Sequence, residues 1–193
     1  MKRVMYLVAG VFVMVAVGAA QQPPAAGQKV GLATSLQRGY AGMKLNVTQN
    51  AEKMPEADYS FKPGSMPEVR PYGAIFGHLV NAQYGQCAAA KGVPNPNQGV
   101  DIEKTKTTKA DIVKALADVF AFCDDAFATT TDENAVQFVK QGPNEVTRAA
   151  VLYGVLVHGN ELFGTSNVYL RSKGLVPAST ERAAQGRGRG NNQ

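Results

Sequence analysis

Apolar side chains recur at three- and four-residue spacing in four stretches of the chain, the period of an amphipathic helix. The first runs from Leu32 to Lys53, where Leu36, Tyr40, Met43, Leu45, Val47 and Ala51 share one side and Pro55 ends the helix. The second starts near Pro71, whose missing N–H suits a first turn. Ile75, Phe76, Leu79, Ala82, Gln83 and Cys87 form its stripe, and Lys91–Gly92 closes it. The third opens on a capping box of Thr108 and Asp111 and carries Ile112, Leu116, Val119, Phe120, Cys123 and Phe127. The fourth starts near Asn144 or Thr147 and reaches about Ser172, with Val151, Leu152, Val155, Leu162, Phe163 and Tyr169 as its apolar side. Gly174 and Pro177 forbid its continuation. No period-two alternation predicts a strand.

Four helices of about 20 residues joined by two long connections predict an all-α fold, a four-helix bundle. The connection after the first helix holds four prolines, and Tyr59 and Phe61 are the side chains expected to pin it to the bundle. The loop VPNPNQGVDIEKTK separates the second and third helices. The expected organisation is a bundle over residues 32–180, preceded by a disordered leader over 21–31 and followed by a disordered Gly/Arg tail over 181–193.

The ends change the reading of the charge. Lys2 and Arg3 precede the apolar run Val4 to Val17, and small residues 18–20 follow it, the three-part pattern of a secretory signal cleaved after Ala20. That run is too short to span a bilayer, so an exported protein, periplasmic or secreted, is expected, with no stable membrane span. The formal charge of +5 is carried mostly by the two ends, since residues 21–180 hold 15 basic and 14 acidic side chains. GRGRG at 186–190 is one short copy of an arginine–glycine tract, and no nucleic-acid partner is expected.

Two His and two Cys in 193 residues exclude four-Cys and three-His metal centres from one copy. There is no Cys-x-x-Cys, P-loop or Gly-x-Ser-x-Gly motif. His78 lies in the second helix and His158 in the fourth, each on or beside an apolar stripe, so both are candidates to face one site. The position one helical turn beyond His158 is Leu162, which offers no lone pair. Glu161, three residues on, is the candidate carboxylate for a two-His, one-carboxylate metal set, and equally a surface residue. Asn46-Val47-Thr48 is a sequon within a helix, and adjacent Asp124 and Asp125 diverge around theirs, so neither marks a site.

The stretches AEKMPEADYSFKP, HLVNAQYGQCAAAKG and HGNELFGTSNVYLRSKGLVPAST resemble the DinB-like superfamily, and more narrowly its exported members, over roughly residues 32–180. The resemblance implies a bundle in up-down-down-up order, often a homodimer, acting on a small molecule. It implies a divalent metal (zinc, nickel or manganese) held by one His of the second helix and a His-x-x-x-His pair of the fourth. Known activities in the family are metal-dependent thiol transfer and isomerisation. His78 and His158 match two ligand positions, and Leu162 stands at the third. Two readings follow: a degenerate, metal-poor site, or a metal-dependent transferase or hydrolase whose site is completed by Glu161, water or a partner chain.

Cys87 ends the second stripe and Cys123 lies late in the third, and an even count in an exported protein favours a disulfide across a separation of 36 residues over two buried thiols. The family order would put both at the same end of the bundle.

Overall fold

A computed structural model describes residues 25–190, with side chains through residue 186. The expected export signal over residues 1–20 lies outside the described residues. Four long helices form where the apolar period predicts them: α1 (Leu32–Lys53), α2 (Tyr72–Lys91), α4 (Lys109–Ala128) and α6 (Arg148–Ser172). Between them lie two single-turn helices, α3 (Ile102–Thr105) and α5 (Asp132–Ala135), and a hairpin of β1 (Phe138–Gln141) and β2 (Asn144–Thr147); α7 (Ala178–Gly190) follows.

Capping explains most of the boundaries. Thr108 accepts from the amide of Asp111 at the start of α4, and Thr147 from that of Ala150 at the start of α6. The alternative start at Asn144 is overturned, because that residue lies in β2. The chain supplies α1 with no side-chain cap of its own. Asp132 of α5 takes this role instead, its carboxylate accepting from the amide of Ala33 at 2.7 Å.

The helices form a ring in the order α1–α6–α2–α4, and side-chain pairs fix their directions. Gly39 faces Leu156 and Asn50 bonds Ser166, so α1 and α6 run parallel. Cys87 bonds Cys123 and Lys91 pairs with Asp125, so α2 and α4 also run parallel. Tyr72 meets Tyr169 while Arg148 reaches Ala90, which makes α2 and α6 antiparallel. Tyr40 meets Phe120 while Lys109 reaches Glu52, which makes α1 and α4 antiparallel. This is the up-down-down-up order. Its centre is filled by fully buried side chains from all four helices, among them Met43, Phe76, Leu79, Leu116, Phe120 and Leu152.

The connection over 54–71 is pinned as its aromatics predict. Tyr59 is buried and donates to the carbonyl of Ala51, Phe61 packs edge-on against Tyr169, and Lys173 pairs with Asp58.

Three further expectations are corrected. The segment without strand alternation contains an antiparallel hairpin pairing Phe138 with Thr147 and Gln141 with Asn144. Gly142, at φ +61°, turns it together with Pro143. Only Val139 and Val146 of the pair pack against the core, so too few positions alternate to show a period. The tail expected to be disordered from 181 is helical through Gly190. Arg182 there bonds Asn46 and Gln49, and Glu181 pairs with Lys53, all partners on α1. Finally, Leu45 is not part of the buried stripe; it is 45% exposed.

Candidate functional site

The seam between α2 and α6 brings the two histidines together. The rings of His78 and His158 stand edge to face, with centroids 5.2 Å apart and planes at 78°. One cation can span such a gap, since metal–imidazole bonds are about 2.0–2.1 Å long. Both side chains are partly buried, and each ring has a carboxylate at Nδ1. Glu103 Oε2 lies 3.1 Å from Nδ1 of His78, and Glu161 Oε2 lies 3.3 Å from Nδ1 of His158. A carboxylate there accepts the Nδ1 proton, fixes the tautomer and leaves Nε2 to act.

Glu103 is the residue that sequence reading misses. It is carried by α3, 25 residues beyond His78, and it reaches the imidazole because α3 lies directly on α2. The contact point is Gly77: a Cβ there would stand 2.7 Å from Cα of Glu103, so no larger residue lets the two backbones meet. Asp101 starts α3 by accepting from the amide of Lys104, and Asn81 of α2 bonds both Asp101 and the amide of Ile102. Hydrogen bonding from Lys104 and then from Asn81 holds the Asp101 carboxyl below the usual carboxylate range. Arg70, from the connection before α2, completes the group: its Nε donates to Glu103 Oε1 at 2.7 Å, and its Nη2 lies 3.5 Å from Nδ1 of His78. The one local signal for all this is the Asp-x-x-Lys start of α3, and nothing in it points to His78.

The other candidate positions fall as follows. Glu161 is 67% exposed in its side chain and sits on its own helix neighbour, His158, rather than between the two rings. Leu162 is 6% exposed and fills the position one turn beyond His158 with hydrocarbon. Among the described residues no group of three or more His, Cys, Asp or Glu side chains could hold a metal ion. The donor set therefore does not fit a three-ligand divalent centre: it offers two imidazoles, each with a carboxylate at the far nitrogen. Cys87 and Cys123 are disulfide-bonded, with Cα atoms 5.4 Å apart, and both are fully buried away from the histidines' seam. No described helix is long and apolar enough to cross a membrane.

The fold has solved counterparts. The chain superposes on a crystal structure of a DinB-like protein from Bacillus cereus ATCC 10987 with a TM-score of 0.60, at 14% identity, covering 74% of this chain and 93% of that one. It superposes on the DinB-like protein YjoA of Bacillus subtilis with a TM-score of 0.57, at 18% identity, covering 72% and 92%. These likenesses are of fold. No curated protein sequence matches the chain. The family model of the DinB superfamily matches residues 46–161, more than half of the chain and a span that includes both histidines, and the protein belongs to that superfamily.

Proposed function

We propose that this is an exported DinB-superfamily bundle whose α2–α6 site is reduced to two carboxylate-held imidazoles with low metal affinity. One observation carries the reading: a buried leucine, Leu162, occupies the position from which a third nitrogen would complete a three-ligand centre. A site of this kind relies on few strong bonds, and losing one of three removes most of its affinity. The surroundings support the same view. Glu103 is tied up by Arg70 and His78, and Glu161 reaches out to solvent, so neither carboxylate stands in for the missing ligand. For export, the support is the cleavable leader pattern at the start of the sequence and a disulfide of the sort that persists in oxidising compartments.

The test is metal content and metal titration of protein purified without chelator. The natural chain is expected to carry less than about a tenth of an equivalent of zinc, nickel or manganese, and Leu162→His is expected to gain one tightly bound zinc. A second reading, a metal-dependent transferase or hydrolase acting through His78, His158 and water, is favoured by the carboxylates at both Nδ1 atoms, which is how metal-binding histidines are oriented. Stoichiometric metal in the natural chain, lost in His78→Ala, replaces the first reading by this one.

A further inference from the structure

The opposite seam of the bundle, between α1 and α4, holds a cleft of about 670 Å³, within the size range of small-molecule sites (roughly 300–1,000 Å³). It shares no lining residue with the histidine site. Its floor is the buried pair Tyr40 and Phe127, whose rings stack at 4.0 Å and 8°. Its walls are hydrocarbon: Ala41 and Leu45 from α1, and Ala128 from α4. Leu45 follows the apolar period of α1, yet the bundle leaves it facing this cleft. One end is rigid, because Gln37 donates to the carbonyls of Phe127 and Thr130 and so locks α1 to the end of α4.

The polar groups define what would bind. Lys44 and Asp124 are the only charged side chains in the lining, and they neutralise each other: Nζ lies 2.7 Å from both carboxylate oxygens. The Tyr40 hydroxyl lies 3.0 Å from both Asp124 Oδ1 and the carbonyl oxygen of Phe120, and shares its one proton between them. Burial first, and then the charge of Asp124, push the Tyr40 hydroxyl far above its ordinary pKa, so it remains a donor to that carboxylate. The carboxylate is thus met by two donor groups, Lys44 through two contacts and Tyr40 through a shared proton, whereas the ammonium has three N–H bonds and spends two on Asp124. The lining has no net charge; beside the uncharged side chains of Gln37 and Thr48, what it offers a ligand is the remaining N–H of Lys44. An anion would meet Asp124, and a cation would meet Lys44.

We propose that the α1–α4 cleft is a second binding site, for an uncharged amphipathic small molecule with an apolar body and an oxygen acceptor at one end. The apolar body lies along Ala41, Leu45 and Ala128 over the aromatic floor. The oxygen accepts from Lys44.

The test is fluorescence titration of the full-length chain with N-phenyl-1-naphthylamine, followed by displacement with decanol, decanoate and decylammonium. One saturable site is expected. Leu45→Glu, a change at an exposed position, should weaken it at least about tenfold by placing a charge in the apolar wall. Ala41→Glu gives the same reading should the first variant melt early. Both variants keep the N-terminal apolar segment, so probe bound there would show as no difference from the natural chain and would overturn the proposal. His78→Ala should bind the probe unchanged, which separates this site from the histidine seam; weakened binding in that variant would overturn the placement. Decanol should displace the probe at a lower concentration than either ion. Displacement led by decanoate or decylammonium would overturn the ligand class, and an absence of saturable binding would overturn the site.

Discussion

Breaking the Cys87–Cys123 bond has a calculable cost. The bond joins residues 36 apart in sequence, and closing such a loop removes about 13 cal/mol/K of entropy from the unfolded chain, or about 3.8 kcal/mol at 25 °C. Both side chains are fully buried, so replacement by alanine leaves only small voids and adds little beyond that term. For a bundle of this size each kcal/mol moves the melting temperature by about 2–4 °C, so Cys87→Ala/Cys123→Ala should melt roughly 8–15 °C below the natural protein. The assay is thermal and urea unfolding followed by circular dichroism under non-reducing conditions, with free thiols counted in the unfolded chains. A sharper requirement follows from the covalent bond itself: either single alanine variant removes the whole bond, so each should cost nearly as much as the pair. A double variant melting within about 2 °C of the natural protein would refute the loop-closure argument. So would single effects that sum to the double.

Two further outcomes follow from the packing. Gly77→Ala should destabilise by about 1–2 kcal/mol despite the better helix propensity of alanine, because the new methyl meets the backbone of α3, whereas Gly164→Ala on the exposed face of α6 should stabilise by up to about 1 kcal/mol; urea midpoints of the two variants check the contrast, and equal effects would contradict it. Tyr40, Tyr59 and Tyr72 have their hydroxyls pushed well above the ordinary phenol value, chiefly by burial, so their contribution to stability is complete below about pH 10 and is lost as the pH rises beyond it; absorbance at alkaline pH should show the three ionising together in one cooperative step with loss of helicity, and gradual independent ionisation would contradict the burial.

What was legible in the sequence follows a physical rule. Long helices announce themselves because each repeats its signal over five or six turns and carries its own stop, as Gly92 and Pro55 do. The placement of His78 and His158 beside apolar stripes was legible for the same reason, and the fold turns both onto one seam. Contacts made once, between distant short elements, leave no such signal. Glu103 reaches His78 through a four-residue helix and the absence of a side chain at Gly77. Asp132 caps a helix that begins 100 residues earlier. The helical tail is held by Arg182 against side chains more than 130 residues away, and its own composition of glycine and arginine argues the other way. Leu45 shows the converse case, since a periodic apolar position reads as core even where the fold leaves it facing a surface cleft.

Because the first and last of the four long helices are neighbours running the same way, and α1 packs on α6 and α4 rather than on α2, the bundle cannot be built as a run of consecutive hairpins. A ribosome that has released α1, α2 and α4 has produced three rods with two flanks bare, one on α1 and one on α2, both waiting for α6. The contacts that cover α1 span more than 110 residues of chain, so the closing step comes late and is slow relative to a bundle of sequential hairpins. The imidazole pair comes into existence only at that step, which ties any chemistry at the seam to the arrival of the final long helix.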